Sequence, residues 1–300
     1  MMRPASSFAV TVDVTNPGQF FACCGLLEVA HGLWPGTEGW FDGSDFKIAV
    51  PAEYEGATLG YLLGKLAQCE ISGLSEQERK ELRTLDAERK RVRRLAPGKE
   101  ERRRELGVQA RAGAVRLGEP LSLLLNWWRT DDEMTPKTWA GLQELHKIAR
   151  AAQDAISMIA EPTSMFSHSR VLRMPREYCS GKADHAKPVE PFYFDARRFA
   201  HALDAGFSLD VQNAESIAHP AVELLCLIGL QRFRPTAGPV RWSFDYWIWS
   251  YPLTALVAAP VMCGVVSNHD RKGYRFRLRF RDDQKRYKAF GFATPIGDQK

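Results

Sequence analysis

The 300 residues hold no apolar stretch long enough to cross a bilayer. The longest, Leu253 to Val266, is broken by Pro260 and falls short of the roughly 20 residues that a spanning helix needs. The stretch Met1 to Val14 lacks the apolar centre of a secretory leader, so a cytoplasmic protein with no membrane partner is expected. Six cysteines, Cys23, Cys24, Cys69, Cys179, Cys226 and Cys263, form no Cys-x-x-Cys pair, and four of them lie in apolar runs. They read as reduced, buried thiols rather than as a disulfide framework. No internal repeat is evident.

Catalytic signatures are missing as well. There is no phosphate-cradling GxxxxGK[ST], no dinucleotide-binding GxGxxG after a strand, no GxSxG elbow, no HExxH and no EF-hand loop. The seven histidines show no HxH or HxxxH spacing that would set two metal ligands on one element. Cys179 and His185 share a loop, but no second clustered pair completes a zinc site, and no cofactor is expected. Asp131-Asp132-Glu133 have the chemistry to hold a divalent ion, yet their place before Thr135-Pro136 suits acids at a helix N-terminus better. Ser167-His168 sets a hydroxyl beside an imidazole, but neighbours in a loop seldom point at one another. A chain that is not an enzyme is expected.

What the sequence does hold is positive charge in two places. The net charge is +5 with 45% apolar residues, enough for one large or two small cores. Residues 75 to 119 carry 14 Lys/Arg and 9 Asp/Glu, and residues 270 to 288 carry nine Lys/Arg and three Asp. In the second segment Tyr274-Arg275-Phe276-Arg277-Leu278-Arg279-Phe280-Arg281 alternates cation and apolar residue. A period of two in a β-strand puts four arginines on one face, which suits a polyanion; an arginine-rich edge that resists aggregation is the competing reading. With Arg286 and Lys288 the segment predicts a basic β-hairpin.

The remainder alternates strand and helix signals without regular βαβ order, so an α+β fold with a mixed or antiparallel sheet is expected. Phe8 to Val14 reads as a strand, then Asn16 caps a helix that has Pro17 at its first position and runs to about Leu33. Short strands are predicted at Trp40-Phe41 and Phe46 to Val50, and a helix at Ala57 to Gln68. Ser75-Glu76-Gln77-Glu78 is a capping box opening a charged helix, and Pro97-Gly98 turns it into a second. The pair has a thin leucine seam and reads as a solvated or partner-binding helical hairpin. Beyond it, a strand is predicted at Leu121 to Trp128, a long helix from Thr135 to about Ile159 and a loop from Glu161 to Pro191. A short strand at Phe192 to Phe194, a helix from Pro220 to Leu230, a Trp-rich strand at Arg241 to Ser250 and a helix at Pro252 to Met262 precede the basic hairpin. The organisation is a strand–helix region 1–74, a helical hairpin insertion 75–119 and an α+β region 120–300. Trp127, Trp128, Trp139, Trp242, Trp247 and Trp249 are aromatic platforms of the kind that stack bases, but a strand apolar on both faces predicts burial for most of them.

Several segments together carry a family likeness: Val12-Asp13-Val14-Thr15-Asn16-Pro17-Gly18-Gln19 through Glu28, Asn126-Trp127-Trp128, Lys137 to Gly141, Phe194-Asp195-Ala196-Arg197, and Pro220 to Leu225 continuing to Pro235. In these the chain resembles the small, large-subunit-like protein of subtype I-U (I-G) CRISPR-Cas systems. The resemblance spans most of the chain except the charged hairpin. It implies a non-catalytic subunit of a crRNA-guided interference complex, with crRNA, target DNA and other subunits as partners. Base pairing then reads the sequence, while protein contacts hold backbones. The residues expected to touch nucleic acid are Arg275, Arg277, Arg279, Arg281, Arg286 and Lys288, with Arg232, Arg234 and Arg241 near the Trp-rich segment. Asn16 and Gln19, at a helix N-terminus whose amides attract anions, complete the set. The alternatives are a crRNA-processing endoribonuclease using His168 beside Ser167, and a purely structural bridging subunit.

Overall fold

The first long helix is apolar on every side, so it can only sit in the middle of the molecule. In the computed structural model, which describes residues 5–92, 94–129, 134–139, 143–174, 187–199, 216–266, 272–281 and 287–297, it does. β1 (Phe8–Thr11) leads into this helix, α1 (Pro17–Leu33), which is buried continuously from Pro17 to Ala30. Asn16 caps it, its side-chain oxygen accepting the Gly18 amide at 3.1 Å. The hairpin β2 (Glu38–Asp42) and β3 (Asp45–Ala49) follows, then α2 (Leu59–Gln68) and the short β4 (Ile71–Ser72).

The charged hairpin consists of α3 (Glu76–Arg91) and α4 (Pro97–Ala112), with the Ser75–Glu78 capping box formed in both directions. Its small core of Leu74, Leu85, Leu106 and Ala110 is separate from the main one. The chain returns as β5 (Val115–Leu117) beside β4, so the ends of the arm are neighbours, and β6 (Leu123–Leu125) completes an antiparallel three-stranded sheet. Next come α5 (Leu145–Ile156), a minimal pair of β7 (Arg170–Val171) and β8 (Ile217–Ala218), and α6 (Pro220–Arg232), buried from Pro220 to Leu230.

The C-terminal part supplies β9 (Thr236–Ala237), β10 (Ser243–Trp247), β11 (Leu253–Thr254), α7 (Ala255–Met262), β12 (Gly273–Phe280), β13 (Lys288–Phe290) and β14 (Thr294–Pro295). One sheet has the order β1-β3-β2-β11; a second has β13-β12-β10-β9, with β14 also on β12. All these pairs are antiparallel, and the fold is α+β. No helix among the described residues is long and apolar enough to cross a membrane. Cys23, Cys24, Cys69, Cys226 and Cys263 are free thiols, the first four buried.

Three expected elements take another form. The long helix predicted from Thr135 begins only at Leu145, because Trp139 leaves any helical register to pack edge-on against Trp127, Trp128 and Phe192. Phe192 to Phe194 is buried but not a strand: Tyr193 takes a left-handed φ of 62°, which breaks a ladder. Leu121 to Trp128 divides into β6 and a 3-10 turn, where Trp127 Nε1 donates to the Leu227 carbonyl at 3.0 Å. As expected, Phe244, Tyr246 and Trp249 of the Trp-rich strand are buried, while Trp242 and Trp247 are half-buried.

Candidate nucleic-acid interface

β12 alternates as its sequence requires, with Tyr274, Phe276 and Leu278 in the core and the arginines on the opposite face. The register then separates the four arginines. Arg275 stands opposite Asp245 of β10 and clasps it with both arms, Nε to Oδ1 at 2.7 Å and Nη2 to Oδ2 at 2.6 Å. Arg281 folds back over the Tyr193 ring, 3.4 Å from its centroid, with Nη2 3.4 Å from Glu190 and only 10% of its side chain exposed. Neither guanidinium stands free for a polyanion. Arg277 faces Ser243 and Arg279 faces Ala289, so no acid lies directly opposite either of them, and both are exposed.

Lys288 belongs to the other face. It pairs with Phe280, and its Nζ lies 3.6 Å from the Trp242 ring centroid, with the Arg241 guanidinium 5.2 Å from the same centroid. The Lys288 amide donates to the Thr138 carbonyl at 3.3 Å, which brings Lys137 alongside. Burial lowers the Lys288 pKa, and the charges of Lys137 and Arg241 lower it further; burial alone lowers that of Lys137. None of the three makes an ion pair among the described residues. The backbone of Trp242 is itself left-handed, with φ 64°.

The other expected contacts are placed differently. Arg232 is bound through Nε and Nη2 to Glu28 of α1, at 2.6 and 2.9 Å, and so ties two core helices together. Arg234 and Arg241 are exposed, and the Arg234 carbonyl accepts the Cys263 thiol. Asn16 is fully buried and Gln19 is 6% exposed, its oxygen accepting the Asp13 amide at 2.8 Å, so both support the fold rather than a ligand. Arg286, Asp131 to Glu133, Cys179 and His185 lie outside the described residues. Ser167 and His168 share a turn in which both amides donate to the Ser164 carbonyl, and no hydrogen bond joins the hydroxyl to the imidazole.

Sequence reasoning missed a buried polar knot. Asn16 Nδ2 donates to Asp195 Oδ1 at 2.7 Å, and Asn16 Oδ1 also accepts the Ala196 amide at 3.1 Å. Arg197 grips the same carboxylate through Nε at 3.0 and 3.1 Å, and His219 Nδ1 lies 2.9 Å from Oδ2. Burial opposes the Asp195 charge, yet His219 and Arg197 hold the carboxyl well below the usual range. Beneath it Glu223, fully buried, is pushed up to about 8 by burial first and the Asp195 charge second. The available signal was a single acid inside each of two apolar segments, Phe192 to Ala196 and Ala221 to Leu225. Three stretches far apart in the chain, at Asn16, at Phe194 to Arg197 and at His219 to Glu223, meet here, at a point that fastens α1 to α6.

The fold and this surface define an α+β protein of antiparallel sheets around a central helix pair, with basic residues exposed on its C-terminal sheet. No protein-family model, no curated protein and no solved structure matches the chain.

Proposed function

We propose that this chain is a non-catalytic subunit that holds the phosphate backbone of nucleic acid on the exposed, arginine-bearing face of β12. The resemblance of its core segments suggests the setting, a crRNA-guided interference complex of the CRISPR type with crRNA and target DNA as partners. The observation that carries the reading is the pair Arg277 and Arg279, exposed side by side on one strand with Ser243 and Ala289, not acids, opposite them. A rigid strand presenting guanidinium groups at every second residue suits phosphates, which accept two parallel hydrogen bonds from each. Arg277 and Arg279 are the exposed arginines of β12, whereas Arg275 and Arg281 are partly buried, so two contacts are expected here rather than four.

The contact number makes the test quantitative. Each phosphate neutralised on duplex DNA contributes about 0.9 to the slope of log affinity against log salt, and about 0.7 on a single strand. Arg277→Gln with Arg279→Gln should therefore flatten the slope by roughly 1.4 to 1.8 and leave the melting temperature nearly unchanged. A slope equal to that of the parent protein would remove this face from the interface. Expressed with its neighbouring genes, the chain should also elute with a discrete small RNA.

A further inference from the structure

We infer that the groove beneath the helical arm is a second binding site, shaped for single-stranded nucleic acid. The inference borrows its ligand class from the reading above but stands on different residues. The groove is open, about 1280 Å³ in volume, and runs between the α3–α4 arm and the β4–β5–β6 sheet. Arg104 enters it from the arm, Arg116 from β5, and Arg129 and Lys137 from the segments that follow the sheet; Glu70 and Glu105 are the acids along its wall.

The pairing of charges along the arm is uneven. Arg102 is clasped by Glu81 at 3.1 Å, Lys99 by Glu88 at 2.7 Å, and Arg103 by Glu100 at 2.7 Å and Asp86 at 3.3 Å. Arg104, the next residue, makes no ion pair among the described residues, and neither do Arg116, Arg129 or Lys137. Of the two acids, Glu105 is already directed at Arg102, 3.5 Å away. Cations that converge on one concavity with no ion pair among the described residues repel one another, and low-dielectric walls focus their field; an anion in the groove relieves both effects.

A single strand fits better than a duplex because the groove also offers apolar surface. Leu124 is 43% and Val108 53% exposed there, contact for bases that a duplex keeps stacked inside. The cationic lining continues past the groove. Lys137, its Nζ 5.3 Å from the Trp139 ring centroid, borders it, and the Lys288 amide bonds the carbonyl of the next residue, Thr138, so the track leads from the arm to Lys288 and Arg241 over the Trp242 ring. A bulky residue held in a left-handed backbone, as Trp242 is, marks a place where the fold tolerates strain, and such places cluster at binding sites.

The test uses the full chain and fluorescence anisotropy with a labelled 20-nucleotide oligo-dT and a labelled 20-base-pair duplex, across a salt series. Arg104→Gln, Arg116→Gln and Arg129→Gln combined should weaken oligo-dT binding at least about tenfold at 0.1 M salt. The salt slope should flatten by about 2, at roughly 0.7 for each of three contacts, with a much smaller change on the duplex. Near-UV circular dichroism like that of the parent protein establishes that the triple variant is folded. An unchanged oligo-dT slope in this variant overturns the groove site, and if Arg277→Gln with Arg279→Gln still flattens the slope, the sheet reading survives alone. The reverse result keeps the groove and removes the sheet. Equal losses on oligo-dT and duplex overturn the single-strand assignment. Poly-glutamate displacing oligo-dT as well as unlabelled DNA of equal charge overturns nucleic acid as the ligand.

Discussion

Glu223 shows how much one buried side chain asks of its surroundings. Its carboxyl accepts long hydrogen bonds from the Phe194 and Asp195 amides, at 3.5 and 3.4 Å, and burial with the Asp195 charge raises its pKa to about 8. A carboxyl raised on folding favours the folded state fully below its unfolded pKa of about 4.3, and that advantage is lost as pH rises towards the folded value. Glu223→Gln should therefore gain stability on the parent protein between pH 5 and pH 8, by up to about 1.4 kcal/mol per pH unit, and hold a constant lead above. Urea denaturation at pH 5, 6.5 and 8 measures this, and parallel pH profiles for the two proteins would contradict it. The arginines of β12 carry a related lesson. Their alternation told which face they occupy, but not that Arg275 meets Asp245, 30 residues earlier, or that Arg281 lies against Tyr193 and Glu190.

At the scale of elements, α1 and α6 cross so closely that glycine is required on both. A methyl on Gly25 would run into the Leu225 carbonyl, and one on Gly229 into the Phe21 carbonyl. Gly25→Ala should cost at least about 2 kcal/mol, since neither backbone has room to yield. Gly32→Ala, in the same helix with nothing within 4 Å, should be neutral or stabilising by up to about 1 kcal/mol. Thermal melts of the two variants give the comparison; equal effects would mean that the crossing is looser than described. The caps of α1 and α3 were legible because Asn16-Pro17 and Ser75 to Glu78 act within one turn of chain. The late start of α5 was not, because Trp139 answers to an aromatic cluster built from distant segments.

The described residues form a main core and a separate small one within the arm. β4 and β5 pair directly, Ser72 opposite Arg116, so the chain leaves for the arm and returns at one place. Replacing residues 75–112 by a short glycine-containing turn should leave a protein that melts cooperatively and keeps the salt response carried by Arg277 and Arg279, while oligo-dT binding in the groove is lost. Loss of cooperative melting would show that the arm is part of the main fold. Periodicity, capping and turn chemistry operate over a few residues, so the α+β class, the central apolar helix with its cap, the two-helix arm and the paired basic strands could be read along the chain. Which cations remain exposed, that Asn16 holds Asp195 across 179 positions, and that Arg104, Arg116, Arg129 and Lys137 line one groove could not be read that way. Charge pairing depends on distances of a few ångströms between segments far apart in the chain, and those distances exist only once the core has packed.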